Sequence, residues 1–375
     1  MSKENNPLAR LKEVIGEFMI YGVPGEILPM GNGHINDTFI SKWDQGGTLV
    51  RYTHQRINEK IFTRPDKVME NICRVTGHIS NKLTVQGVED RSRKVLTVIP
   101  GRDGKPYVRD KEGGWWRTYC YIEKSHTGDT ASSQAEAELL GNSVGQFQKQ
   151  LADLGGDRLY ETIQDFHNME TRYTRFHKAL EKDEFNRAKT ASNEINFLLK
   201  NEERGGVLIR LLKQGRIPER ICHNDTKLNN ILLDDGGNSA LCVIDLDTVM
   251  PGSSLFDLGD LIRTVTITAM EDEQDLSKVS FDLEFFKALL KGYLSLARDF
   301  LEEEELKLLC ESGRNITQIM GLRFLTDFLE ADHYYRTNRP LHNLDRCRTQ
   351  IALIRSMDDQ WEEAEKIANR LNVEF

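Results

Sequence analysis

Between Arg220 and Asp260 the chain breaks the pattern of its surroundings. On both sides apolar residues recur in steps of three and four, the mark of helices with one buried face. Inside the segment the pattern becomes loop, a short strand (Ile231-Leu-Leu), an Asp-Gly-Gly turn (Asp234 to Gly237) and a strongly apolar strand (Ala240 to Ile244) ending in Asp245. A tight hairpin bracketed by polar residues within a helical region is unusual enough to need a reason.

The rest of the chain sets the frame for that hairpin. Up to about Ile122 short apolar or β-branched runs alternate with Gly, Asn and Asp, as in Asp37-Thr-Phe-Ile-Ser, Thr48-Leu-Val-Arg-Tyr-Thr, Val95-Leu-Thr-Val-Ile-Pro and Trp115-Trp-Arg-Thr-Tyr-Cys-Tyr-Ile. These predict an antiparallel sheet, with a helix over Asp66 to Lys82. After Glu123 helices dominate. Ser133-Gln-Ala-Glu136 has the form of a capping box, Ala137, Leu140, Val144, Phe147 and Leu151 continue one face, and Gly155-Gly156 stops the helix. Further helical patterns run over Asn193 to Leu212, Leu283 to Leu301, Glu303 to Leu329 and Arg346 to Leu371. The expected class is α+β with two lobes. A small β-rich N-terminal lobe, residues 1–123, is followed by a large, mainly helical C-terminal lobe, residues 124–375.

The chain has 375 residues, too many for one hydrophobic core and comfortable for two. Its net charge of −9 argues against nucleic acid or an anionic membrane as main partner, but says little about a phosphate ligand held by local dipoles. No apolar run reaches the roughly 18 residues that span a bilayer, and the N-terminus lacks a signal-peptide core. Six cysteines (Cys73, Cys120, Cys222, Cys242, Cys310, Cys347) stand singly, as reduced thiols do. The expectation is a cytoplasmic protein with no obligate protein partner.

The reason for the hairpin lies in Cys222-His-Asn-Asp-Thr-Lys-Leu-Asn-Asn230, which contains the pattern H-x-D-x-x-x-x-N, and in Asp245 fifteen residues past Asn230. In kinase-type phosphoryl transfer an Asp accepts or orients the proton of the attacking hydroxyl, while an Asn oxygen and a second Asp hold Mg²⁺ on the ATP phosphates. Asp225, Asn230 and Asp245 fill those places, and Lys227 is set to meet the γ-phosphate as a point charge. Polar loop residues with no role would have no cause to combine this spacing with an apolar strand ending in Ile244-Asp-Leu-Asp247. His223 reads better as a packed loop anchor than as an acid or base. Asp257, in Phe256-Asp-Leu-Gly-Asp260, reads as a brace on the loop from a helix start. Gly31-Asn-Gly-His-Ile-Asn36, between two expected strands, is a turn whose backbone N–H groups can approach phosphate. No G-x-x-x-x-G-K-[ST] occurs, which excludes a Walker-type loop.

The block His223 to Asp260 resembles the aminoglycoside phosphotransferase and choline kinase superfamily, which has a protein-kinase-like fold. Much of the chain is similar to one branch, the N-acetylhexosamine 1-kinases. The matching stretches are Gly31-Asn-Gly-His-Ile-Asn36, His223 to Leu232, Ile244 to Gly252, Phe256 to Asp260, Asp275-Leu-Ser-Lys-Val279, Gly321-Leu-Arg-Phe-Leu325, Asp332-His-Tyr334, His342-Asn-Leu344 and Arg348-Thr-Gln-Ile351. The resemblance implies Asp225 as base, Asn230 and Asp245 as magnesium ligands, and Gly31, Asn32 and Gly33 over the phosphates of ATP, with Gln55 and Tyr121 also at the nucleotide. It implies a sugar site drawing on His34, Asp225, Arg323 and Tyr334, with Asp332 nearby. The activity implied is transfer of phosphate to the anomeric hydroxyl of N-acetylglucosamine or N-acetylgalactosamine. Two departures stand out. Where most kinase-like folds carry a strand lysine, this chain reads Gln55 or Arg56, as the branch does, and Thr264 stands where relatives carry an aromatic residue near the sugar.

Two other functions compete. An aminoglycoside kinase would need an acidic pocket, and Glu302 to Glu305 reads instead as a solvated helix start. A catalytically inactive kinase-like binding module would have no need of Asp225, Asn230 and Asp245 together.

Overall fold

The computed structural model describes residues 7–30, 35–236 and 239–375. The chain divides into two compact units. The first comprises residues 1–126, 154–164 and 232–250, and the second the remainder. The first unit is thus assembled from three stretches, two of which return to it from the helical half.

In the first unit the strands β1 (Val23–Pro29), β2 (Asp37–Gln45), β3 (Thr48–Arg56), β4 (Val98–Ile99), β5 (Val108–Arg109) and β6 (Trp115–Cys120) form one antiparallel sheet. The order is β1-β2-β3-β6-β4, with β5 also on β6. Alternation decides which face is buried. Phe39, Trp43, Tyr52 and Trp116 pack with Leu11, Val14, Ile15 and Phe18 from the N-terminal helical segment. That core is tied at its rim by Arg10, whose guanidinium grips Asp110 at 2.7 and 2.8 Å, while the Trp116 indole donates to the same carboxylate. The helix expected over Asp66 to Lys82 spans Pro65–Val85, with proline in its first turn. Val95 to Pro100 shrinks to the two-residue β4. The expected hairpin forms from β8 (Ile231–Asp234) and β9 (Ala240–Val243), with β7 (Ser125–His126) on the other side of β8.

The second unit is a stack of helices. Ser133 caps Gln134–Leu151 by accepting the N–H of Glu136 at 3.2 Å. The Glu136 carboxylate reaches back one residue further than a capping box requires, to the N–H of Ser132 at 2.8 Å. This helix lies against Leu283–Ala297 so closely that a Cβ on Gly141 would sit 2.1 Å from the Leu289 carbonyl, and one on Gly292 1.9 Å from that of Glu138. Only glycine permits that approach. Leu309–Leu329 is buried along most of its length. The expected helix over Asn193 to Leu212 is broken into Ser192–Lys200, Glu202–Gly205 and Val207–Lys213, at Asn201 and then at Gly206, where the glycine pair weakens the helix. Arg346 to Leu371 is two helices, His342–Asp359 and Trp361–Glu374, and Gln360 at the break donates to the Phe281 carbonyl at 2.9 Å. Two helices carried no expectation, Pro7–Val14 and Met169–Lys182, and the helix start expected at Asp257 opens Ser254–Val265. The α+β class, with a β-rich N-terminal sheet and a helical C-terminal part, is observed.

Candidate active site

In the second unit the segment around Asp225 is held from several directions. The carboxylate of Asp257, in the first turn of Ser254–Val265, accepts the N–H of His223 at 3.0 Å and that of Asn224 at 2.6 Å. Gln148 donates to the same carboxylate at 3.0 Å and is itself fixed by the Tyr293 hydroxyl at 2.7 Å. The Thr226 hydroxyl donates to the Asp257 carbonyl. Asp257 is therefore the brace that its place at a helix start suggests, although burial pushes its carboxyl pKa up. His223 is fully buried, edge-on to Phe147, as an anchor. His167 bonds the Asn224 carbonyl at 2.8 Å, and burial holds its pKa down at about 3, so it is a neutral ring. These bonds hold Asn224 at a φ of 65°, a left-handed conformation that asparagine tolerates and that turns the next residue outward.

That next residue is Asp225. Lys227 Nζ lies 3.2 Å from its Oδ2, and the Asn230 amide nitrogen donates to the same oxygen at 3.0 Å and to the Asp225 carbonyl at 2.8 Å. Burial alone would raise the Asp225 pKa. Lys227, His223 and Arg263 outweigh it, and the carboxyl stays below its ordinary range, ionised near neutrality. Because Asn230 turns its nitrogen to Asp225, its oxygen faces away from that carboxylate. Arg263 pairs with Asp260 at 3.0 Å and with Glu271 at 2.9 Å. Thr264 donates to the carbonyl of Asp260 at 3.0 Å.

Arg323 and Tyr334 line one small cavity with Arg172, Arg175, Thr326, Asp327 and Tyr335. The Arg323 guanidinium lies 5.0 Å from the centre of the Phe166 ring, 5.5 Å from that of Tyr335 and 5.8 Å from that of Tyr334. Burial would lower its pKa, but Tyr335, Tyr334 and then the Asp225 carboxylate raise it above the ordinary arginine value. Asp332 does not line this cavity. Its oxygens are taken by Arg187 at 2.5 Å and Asn343 at 2.9 Å. Asp327 holds the segment instead, accepting the N–H groups of Tyr334 and Tyr335 at 2.7 and 2.9 Å.

In the first unit Gln55 on β3 stands opposite Arg117 on β6. Arg117 is buried, donates twice to the Gln55 side-chain oxygen at 2.9 and 2.8 Å, and pairs with Asp247. Asn36 donates to the other Asp247 oxygen at 2.6 Å, and its own oxygen receives the Asn58 N–H at 3.0 Å. Gln55 thus meets a cation from the neighbouring strand. Burial would lower the Arg117 pKa, but the Asp247 carboxylate more than reverses that. Both Asp247 oxygens are thus engaged, and Asp245, two residues before it, follows the end of the apolar strand. Asp245 is half-buried, and its φ is 59°. Tyr121 lies under Arg51, ring centre to guanidinium 4.0 Å, and Arg51 pairs with Glu123. Gly31, Asn32, Gly33 and His34 lie outside the described residues.

Sequence reasoning did not reach Gln148, His167, Arg172, Arg175, Tyr335 or the pairing of Arg117 with Gln55. Only the last left a signal. A strand without its lysine asks for a cation elsewhere, and alternation puts Arg117 on the face of β6 that β3 shares.

Comparison with known proteins places the family and the fold. Residues 26–301 match the model of the phosphotransferase enzyme family APH. The fold is similar to the aminoglycoside phosphotransferase from Alicyclobacillus acidocaldarius, at 14% identity over 94% of this chain and 96% of that one, TM-score 0.59. It is similar to choline kinase from Cryptosporidium parvum, at 13% identity over 98% and 100% of the two chains, TM-score 0.55. A spectinomycin phosphotransferase solved with ADP and spectinomycin matches at 13% identity over 97% and 98%, TM-score 0.50. With the family model covering most of its length, this chain belongs to the APH phosphotransferases, the family of enzymes that move phosphate onto small-molecule alcohols.

Proposed function

We propose that this phosphotransferase is an ATP- and magnesium-dependent sugar kinase acting on the anomeric hydroxyl of N-acetylhexosamines. The observation that carries the reading is in the second unit. An ionised Asp225, held by Lys227 and Asn230, shares a neighbourhood with Arg323, which lines a cavity with Tyr334. Arg323 offers a planar fork of donors and Tyr334 a hydroxyl, groups suited to ring hydroxyls and an acetamido carbonyl.

The sugar O1 attacks the γ-phosphorus, the bond from that phosphorus to the β–γ bridging oxygen breaks, and ADP leaves. The O1 proton passes to Asp225 and then to solvent. A carboxylate held below its ordinary range is a weak base, so its contribution is to orient the hydroxyl and take the proton late. Lys227, beside it, would steady the charge of the transferring group. The sequence pattern assigns magnesium to Asn230 and Asp245. Both offer hard oxygen donors, and this metal asks for only one or two carboxylates, with phosphate and water completing its shell. When bound it neutralises the β- and γ-phosphates.

An aminoglycoside, a polycation, would meet three guanidinium groups in the cavity that Arg323 lines. The test is a coupled ADP-release assay over sugars, amino sugars and aminoglycosides, followed by phosphorus NMR of the product. Turnover of N-acetylhexosamines to an acid-labile phosphate coupled to the anomeric proton is expected. A stable 6-phosphate, or turnover confined to aminoglycosides, would sink the sugar 1-kinase reading and leave the phosphotransferase chemistry standing.

A further inference from the structure

The cavity lined by Arg323 and Tyr334 carries more charge than a neutral sugar explains. Three guanidinium groups, Arg172, Arg175 and Arg323, line it with one carboxylate, Asp327. Glu330 compensates Arg175 at 2.5 Å, and the three N–H groups of Tyr334, Tyr335 and Asn343 point at Asp327. Arg172 and Arg323 have no carboxylate within ion-pair distance among the described residues. Arg172 donates to the Phe166 carbonyl at 2.9 Å, and Arg323 is met by the Tyr334 hydroxyl and by a long contact, 3.5 Å, to the Met320 sulfur, neither of which carries a full negative charge.

Bonding capacity is left over on two of the residues that line the cavity. The Arg172 Nε and the Tyr335 hydroxyl are buried and have no hydrogen-bond partner. Burial, with Arg323 next to it, brings the Arg172 pKa down to about 10, so the group stays a cation at neutral pH despite its neighbour. Burial pushes the Tyr335 pKa up to about 12, which keeps its hydroxyl a donor. Two half-buried cations side by side, with aromatic rings around Arg323 and the Asp225 carboxylate acting only from beyond ion-pair distance, are costly, and an anion from outside would complete the arrangement. The cavity measures about 30 Å³, room for one or two water-sized groups and so for a single small substituent rather than a sugar ring.

We infer that the cavity receives a carboxylate carried by the acceptor, between Arg172, Arg323 and the Tyr335 hydroxyl, so that the enzyme selects acidic sugars over neutral ones. The inference rests on the sugar-kinase reading above and names the substrate class within it. Arg172 sets this specificity by reading a planar anion with parallel donors. The sugar's reacting hydroxyl is left to Asp225.

The experiment compares matched acceptors on the full-length enzyme. N-acetylglucosamine is set against its 6-carboxylate and against its 3-O-carboxyalkyl ether, each with and without the charge blocked as an amide. At least one acidic acceptor should have a kcat/KM roughly 10- to 100-fold above its neutral counterpart, the range of one charged hydrogen bond. That advantage should shrink as salt is raised. Arg172→Gln should remove most of it, and Arg172→Lys should restore part. An unchanged acidic-to-neutral ratio in Arg172→Gln, with a folded enzyme by circular dichroism, would overturn the assignment, as would equal use of acidic and neutral sugars by the wild type. If no sugar is phosphorylated, the sugar-kinase reading fails separately, and calorimetric titration with the same acids decides the cavity. Tighter binding of an acid than of its amide upholds the anion site, and equal binding rejects it.

Discussion

Replacing Asp257 by asparagine changes one atom and tests whether the catalytic loop depends on its brace. In the native protein Oδ2 accepts from His223 N and Gln148 Nε2, and Oδ1 from Asn224 N. An asparagine serves one side only. With its oxygen at the Oδ2 place it keeps two of these bonds, and its NH₂ then faces the buried N–H of Asn224, donor against donor. Turning the amide over loses two bonds instead, and Gln148 has little freedom to compensate because Tyr293 holds its other end. One buried N–H left without an acceptor costs about 1–3 kcal/mol, and the opposed donors put the expected loss toward the upper part, about 2–3 kcal/mol. The loop can relieve the clash only by releasing Asn224 from its left-handed conformation, which swings Asp225. A displacement of about 1 Å at a reacting group costs on the order of 10²-fold. Asp257→Asn should therefore lower the urea-unfolding free energy by about 2–3 kcal/mol and kcat by roughly 10- to 100-fold, with the KM for ATP little changed. Both are read on the same preparation, with kcat measured well below the unfolding transition. A variant with a wild-type urea midpoint and kcat within a factor of two would show that Asp257 does not position the loop.

Asp225→Asn should lose on the order of 10²–10⁴-fold in kcat while nucleotide binding, followed by fluorescence titration, is retained; retention of more than about a tenth of turnover removes Asp225 from its role. Asp245→Ala should abolish productive use of Mg·ATP even at raised magnesium, and normal activity there would transfer the metal to Asp247. Asp247→Asn is expected to act differently, destabilising the first unit by about 3–5 kcal/mol in thermal or urea unfolding, because it leaves Arg117 buried without its counter-charge; an unchanged melting curve would refute that. His54 bonds Ser41 and Thr118 as a fully buried ring whose pKa burial lowers to about 3. The unfolded chain therefore binds the extra proton, and stability falls with falling pH from about 6.5 toward 3. Between pH 7 and pH 5 His54 alone should account for about 2 kcal/mol of lost stability, and His54→Gln should flatten the profile by that amount; parallel profiles would show that the ring does not titrate this way.

Much of the fold was legible because its signals are local. Alternation marked β2, β3 and β6, three- and four-residue steps marked the helices, and Gly205-Gly206 accounts for the second of the two breaks that the helical pattern over Asn193 to Leu212 does not reveal. The helix Met169–Lys182 escaped notice because its buried positions, Met169, Tyr173, Phe176 and Ala179, are few among charged neighbours. The spacing of Asp225 and Asn230 is local too. The turn of chain between them brings both side chains to one oxygen.

The tertiary structure decided what stands around those residues. Asp257 reaches His223 across 34 positions, Gln148 reaches Asp257 across 109, and Arg117 reaches Asp247 across 130. No periodicity records such pairs, since each partner alone reads as an ordinary polar residue on a helix or strand. Arg172 on one helix and Arg323 on another come to line a single cavity only once Met169–Lys182 and Leu309–Leu329 pack together. The pattern His-x-Asp-x-x-x-x-Asn pointed to phosphoryl transfer, the class of the family to which the chain belongs, because its residues lie close together in sequence. The charge of the cavity beside it is a sum over separate elements, and only their packing brings those charges together.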